Sequence, residues 1–240
     1  MNHIDNLKGV IFDYGGTIDS RGVHWSEVIW DGYCDAGVAV TKEQFRECYV
    51  FAERELAKVR HILPHHNFHD LLLIKMRIEL GYLAGQGLLN ADCIEPLAAK
   101  IALYCYRAAR SSVEEARPVL EALYAHYPMV LVSNFYGNVE SVLADFDLRR
   151  YFRGVIESAV VGVRKPDPAI FMPGVVALGL EPRQVLVVGD SLRKDILPAR
   201  SIGCHTAWIK GRAWSDEDNA ATHPSQVADL HEIAAAIATR

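Results

Sequence analysis

Residues 9–20 read GVIFDYGGTIDS. The apolar run Val10-Ile11-Phe12 delivers a single carboxylate, Asp13, directly into two glycines. A short uninterrupted apolar run bounded by a turn signal predicts a strand buried on both faces, as in a parallel sheet. Its polar end predicts an active edge at the strand C-termini. Runs of the same kind recur at Met129–Asn134 (MVLVSN), Gly154–Val161, Val185–Asp190 (VLVVGD) and His205–Ile209 (HTAWI). Between them Gly137–Leu148, Pro168–Leu178 and Leu192–Ile202 carry helical spacing, with Asp167 or Asp190 near a helix start. Ala228–Ala238 reads as a closing surface helix.

Between the first run and the second, strand alternation disappears. Ser26–Ala36, Lys42–Lys58, Phe68–Leu80, Ala91–Ser111 and Val113–Ala125 place Leu, Ile, Tyr and Trp at intervals of three and four, which predicts helices. The last is assigned to the α/β part. The expected organisation is therefore an α/β core domain of residues 1–19 and 113–240, with a helical cap domain of residues 20–112. Polar and small residues at Asp19–Gly22 and Ser111–Pro118 mark the expected hinges.

With 50% hydrophobic and 23% charged residues the 240-residue chain falls among ordinary globular proteins. A net charge of -5 argues against nucleic acid as a partner. Five scattered cysteines form no CxxC, which reads as a reduced, cytoplasmic protein. No window approaches the ~20 apolar residues of a membrane span. The cluster HILPHHNFH (His61–His69) contains no HExxH and reads as a polar cap loop rather than a metal site. Nothing in the sequence decides between a monomer and a homodimer.

Four pieces sit at predicted strand ends: Asp13, Ser133-Asn134, Lys165 in RKPDP, and Asp190 in VGDSLRKD, with Asp195 further along. A doubly wound sheet gathers such ends at one crevice. Carboxylates, a hydroxyl, an amide and an ammonium together suit a phosphate group bound beside Mg²⁺, with a carboxylate as nucleophile.

The motifs FDYGGT, VLVSN, RKPDP and VGDSLRKDI, in this order, resemble the four signatures of the haloacid dehalogenase (HAD) superfamily of hydrolases. The helical insert after the first motif is similar to the cap of its small-metabolite phosphatases, phosphoglucomutase-like enzymes and dehalogenases. The resemblance covers almost the whole chain. It implies a HAD-like Rossmannoid parallel sheet flanked by helices, with an inserted all-helical cap. It further implies a Mg²⁺-dependent phosphatase of a small phosphorylated metabolite. By the same resemblance Asp13 is the nucleophile and a metal ligand, with the Gly15 carbonyl and Asp190 as further ligands. Ser133 and Lys165 grip the phosphoryl group, Asn134 orients it, Gly16 lies in its cradle, and Asp195 and Ser191 support the site.

One position departs from the pattern. The family's phosphatases carry a second Asp two residues after the nucleophile, as general acid and base. Here that position is Gly15. A general acid or base contributes a factor of roughly 10²–10⁴. Three readings compete: a stand-in from Asp19 or His24, with His24 favoured by its ordinary pKa; a 2-haloacid dehalogenase, which needs no acid; or a phosphate-ligand-binding protein with little turnover. Against the dehalogenase stands the retained acidic metal position. Trp25, beside His24 at the hinge end of the first cap helix, is expected near the substrate.

Overall fold

In the computed structural model, which describes residues 6–238, the opening apolar run forms β1 (Gly9–Phe12), at the centre of a six-stranded parallel sheet. On one side lie β2 (Met129–Ser133) and β3 (Gly154–Glu157). On the other lie β4 (Val185–Gly189), β5 (His205–Ile209) and β6 (Gln226–Val227). Every residue of β1, β2 and β4 is buried, because both sheet faces are covered, and this accounts for their unbroken apolar runs. The chain builds outward from β1 to β3 and then returns to add β4 on β1's other edge. That reversal opens a crevice at the C-terminal ends of the strands. Phe12 is in register with both Leu131 and Val188, so Asp13, Ser133 and Asp190 emerge at the same edge. The two-residue β6 has no counterpart among the strands the sequence predicts, being too short to show a period.

Four helices follow β1: α1 (Trp25–Ala36), α2 (Lys42–Lys58), α3 (Phe68–Gly85) and α4 (Ile94–Tyr124). Capping boxes start two of them, Thr41 with Gln44 and Asn67 with Asp70. The third helix runs past the expected Leu80, since Leu83 continues its buried face through Gly81. A larger difference lies at α4. The sequence predicts two helices with a hinge at Ser111–Pro118, whereas one 31-residue helix runs unbroken from cap to core. Ser112 Oγ bonds back to Ala108 O (3.1 Å), and Ala109, Val113, Ala116 and Leu120 keep one buried face throughout. Apolar periodicity therefore outweighs the local signals of two serines and a proline. No described helix is long and apolar enough to cross a membrane.

The inserted helical cap sits over the crevice and is bonded to the core at several points. Asn138 Nδ2 donates to His66 O (2.9 Å), and Ser141 Oγ donates to Pro64 O (2.6 Å). From the other side Arg46 reaches Trp214 O (2.9 Å), and the guanidinium of Arg212 pairs with Asp31.

Candidate active site

Asp13 leaves the end of β1 with its carboxylate buried and held from three sides. Its Oδ1 accepts from Lys165 Nζ (2.6 Å) and Ser133 Oγ (3.0 Å), and its Oδ2 accepts from Thr17 Oγ1 (3.3 Å). Lys165 Nζ donates as well to Asp195 Oδ1 (2.7 Å) and Val132 O (3.2 Å). Burial alone would depress the pKa of this lysine, but Asp13 and Asp195 outweigh it and hold the ammonium above its ordinary value. Asn134 is engaged with the backbone of Lys165 in both directions: its Nδ2 donates to Lys165 O (3.0 Å) and its Oδ1 accepts from Lys165 N (2.9 Å). It thus anchors the lysine, while still lining the cavity. Ser191 N–H donates to Asp195 Oδ2 (3.1 Å), and Ser191 Oγ accepts from Lys194 N (3.2 Å).

Of the paired glycines, it is Gly16 that the backbone demands. Its φ is +92°, and an added Cβ would lie 2.3 Å from Asp190 Oδ2. Gly15 is outside the left-handed region, and a Cβ there would meet Trp25 at an ordinary 3.7 Å.

Asp13, Asp190 and Asp195 each offer an oxygen within 4.8 Å of the others, the one such group of metal-ligating side chains among the described residues. Burial, reinforced by Asp195 and Asp13, pushes the Asp190 carboxyl well above its ordinary range. Three carboxyl groups crowd one ammonium in an oxygen-rich cradle closed by Gly16, and their mutual repulsion adds to burial in opposing ionisation of Asp190. This donor set fits a hard divalent cation.

The residues expected to replace the missing acid are placed differently from one another. His24 caps α1, its Nδ1 accepting from Ser26 N (3.2 Å) and contacting Ser26 Oγ (2.8 Å). Burial, with Lys194 and Lys75 nearby, lowers its pKa to about 4, so it does not titrate near neutrality as its residue type suggests. Its remaining proton sits on Nε2, since Nδ1 is the cap acceptor. Asp19 is buried beneath the first loop, with Oδ1 accepting from Gly16 N (2.8 Å) and Oδ2 from Trp25 Nε1 (3.0 Å). Burial raises it to about 7 against those two bonds. It does not line the cavity. The Trp25 indole, tethered by Asp19, covers Gly15 instead.

The cavity, of about 170 Å³, has a cap wall that sequence reasoning did not find. Lys75 of α3, almost wholly buried, pairs with Glu53 of α2 and lies 4.2 Å from the centre of the Tyr49 ring. Glu53 Oε1 also accepts from Tyr136 Oη (2.9 Å), a core residue. Burial opposes ionisation of Glu53, but Lys75 and the Tyr136 bond outweigh it and keep its pKa low. A signal was present: Leu71, Lys75 and Glu79 recur every fourth residue on the apolar face of α3, where charge is out of place. Thr17, four residues beyond Asp13 in the first loop, was also overlooked. The histidine cluster is dispersed into local contacts, His61 with Glu55 and His65 with His66.

A family model described as haloacid dehalogenase-like hydrolase matches residues 7–203. A phosphoserine phosphatase of Thermus thermophilus is 36% identical over 86 residues, which is 36% of this chain and 34% of that protein. A glyceraldehyde 3-phosphate phosphatase of Pyrococcus furiosus is 35% identical over 72 residues, 30% of each chain. These matches thus span about a third of each relative. In fold, a crystal structure of a dehalogenase superposes with a TM-score of 0.67 at 18% identity, covering 99% of this chain and 100% of that one.

Proposed function

This chain belongs to the haloacid dehalogenase-like hydrolases, and from that premise we propose that it is a Mg²⁺-dependent phosphomonoester hydrolase acting on a small phosphorylated metabolite. The observation that carries the reading is Lys165 bridging Asp13 and Asp195, with Ser133 on the same Asp13 oxygen and Asp190 completing a cluster of three carboxyl groups. An ammonium and a hydroxyl on one side of a reactive carboxylate form a cradle for phosphoryl oxygens. The two phosphatase relatives support this choice of chemistry within the family.

In the proposed mechanism Asp13 attacks phosphorus and forms an aspartyl-phosphate, which water then hydrolyses. Lys165 and Ser133 bind the phosphoryl oxygens, releasing Asp13 from their hydrogen bonds. Asp195 keeps Lys165 aimed, and Asn134 holds its backbone. Asp13, Asp190 and the Gly15 carbonyl would hold Mg²⁺, which neutralises charge on the phosphoryl group when bound. The block 20–112 acts as a lid that excludes water. With the His24 pKa lowered to about 4, so that its ring is neutral near pH 7, and Asp19 outside the cavity, neither serves as the direct proton donor.

The test is an ester panel with Mg²⁺ and with chelator, on the parent protein and Asp13→Asn. Turnover should require the metal and fall by several orders of magnitude in the variant, with Tm retained. Chelator-insensitive halide release from a 2-haloacid would instead establish the dehalogenase. Ester binding without Asp13-dependent product would establish a binding protein.

A further inference from the structure

We infer that the cavity selects phosphomonoesters whose bridging oxygen is carried by an aromatic ring, a phenol-type leaving group, over esters of alkyl alcohols. The inference rests on the phosphatase reading above. Two independent features of the cavity lead to it.

The first is the lining. In-line displacement at phosphorus sends the leaving oxygen away from Asp13, toward the opposite wall. The cavity is lined by Trp25, Tyr49, Phe68 and Leu71 of the cap and by Phe135 and Tyr136 from the loop after β2. The charged side chains of Glu53, Lys75, Arg164 and Lys194 lie beside them. The rings are pre-set against one another. Trp25 meets Phe68 edge-on at 5.2 Å, and Tyr14 beneath meets Phe68 and Phe135 at 6.3 and 5.8 Å. Such a lining offers a planar ring edge and face contacts that an alkyl or polyhydroxylated chain cannot make.

The second is the state of the proton donors on that wall. The family's acid would stand at Gly15, and the Trp25 indole covers this position. The indole N–H is already given to Asp19, and the Tyr136 hydroxyl is given to Glu53. The Lys75 ammonium is paired with Glu53. His24 keeps one N–H on Nε2 and Tyr49 one hydroxyl; both are hydrogen-bond donors, but neither is a strong acid. Lys194 and Arg164 of the lining are both exposed. A leaving oxygen here can be solvated by these cations, but among the described residues no neutral carboxyl group or imidazolium stands beside Gly15 to protonate it as the family's acid would. A phenolate, whose conjugate acid has a pKa of about 10, tolerates this. An alkoxide, far more basic, does not.

The step balances without an added proton donor. A carboxylate oxygen of Asp13 forms a bond to phosphorus as the phosphorus–aryloxygen bond breaks, and the electron pair departs on the phenolate. The phenolate takes its proton from water once released. Water then attacks the aspartyl-phosphate, giving dihydrogen phosphate and restoring the Asp13 carboxylate.

The experiment measures kcat/KM with Mg²⁺ for 4-nitrophenyl, phenyl, benzyl and ethyl phosphate, with Asp13→Asn as the blank. Benzyl phosphate keeps the ring but leaves as an alkoxide. Phenyl phosphate should exceed benzyl by about 10²-fold or more, the factor a missing general acid withdraws. A second arm needs no turnover: phenylphosphonate should inhibit at least several-fold more tightly than methylphosphonate, because its ring reaches the aromatic wall. Benzyl turnover within about tenfold of phenyl, or equal inhibition by the two phosphonates, overturns the inference while leaving the phosphatase intact. Absence of Asp13-dependent phosphate release from all four esters overturns the phosphatase and this inference together.

Discussion

Each wall of the cavity buries one lysine, and the two are held differently. Lys165 of the core, 4% exposed, bonds two carboxylates and a backbone carbonyl. Lys75 of the cap, 3% exposed, bonds one carboxylate and rests on a tyrosine ring. Burial opposes both charges, and in both cases the acidic partners win and hold the ammonium above its ordinary value. The partners distinguish them. Those of Lys165 are the proposed nucleophile and its supporting acid, so this lysine stands where phosphoryl charge would arrive. The partner of Lys75 is Glu53, which Tyr136 ties to the core, so this lysine stabilises the meeting of cap and core. A buried ion pair can therefore be reactive machinery or a clasp, and its neighbours tell which.

The contrast breaks most visibly at the core lysine. Lys165→Met should lower kcat/KM by roughly 10²–10³-fold, the scale seen when a transition-state charge donor is removed. A loss under about tenfold in steady-state assays would place the phosphoryl grip elsewhere.

The cap lysine should speak through stability instead. Lys75→Met leaves Glu53, whose side chain is 30% exposed, without its counter-charge; the partial exposure puts the cost at the low end for such a pair, about 3 kcal/mol. Adding Glu53→Gln removes the stranded charge and should restore much of that. Urea denaturation of the two single variants and the double measures the coupling. Additive losses would show that the pair does not act as a unit.

A pH-dependent effect sharpens the same region. Glu79 lies one turn beyond Lys75, fully buried; its Oε2 accepts from Tyr33 Oη (3.0 Å), while its Oε1 has no partner. Burial pushes its carboxyl up to about 7, against Lys75 and the Tyr33 bond. The folded pKa lies above that of a free glutamate, about 4.3. The folded protein thus keeps a proton that the unfolded chain releases. Stability from this group is complete below pH ~4.3 and is lost as pH rises through about 7. Glu79→Gln should gain on the parent by on the order of 3 kcal/mol between those limits. A difference in unfolding free energy that stays flat with pH would show that Glu79 ionises in the fold as freely as outside it.

Much of the core wall was legible in the chain. Asp13, Ser133 and Asp190 follow or end short apolar strands that the parallel sheet brings to one edge in register. The run expected over Gly154–Val161 is a strand only to Glu157 and turns helical at Ser158–Val161, so Lys165 reaches the site from the loop beyond rather than from a strand end. The cap wall was less so. Lys75 and Glu53 are ordinary surface residue types until α2 and α3 pack against each other, and their pairing depends on an interhelical distance that no local pattern encodes. Tyr136 reads as a loop residue until the cap arrives to meet it. His24 illustrates the opposite error: residue type suggested a neutral-range titration, but burial and two nearby lysines removed it.

By itself the sequence determined the buried parallel strands, the helical insertion after the first of them, and the acids at the strand ends. These depend on periodicity and on chemistry carried by single residues, which are local properties. Only the tertiary structure decided that α4 crosses from cap to core without a break. It alone also decided that Gly16 rather than Gly15 is the glycine required by close approach, and that Trp25 lies where a proton donor was sought. Each of these depends on which surfaces come within a few ångströms of one another. That is set by the packing of cap on core, and so by residues far apart in the chain.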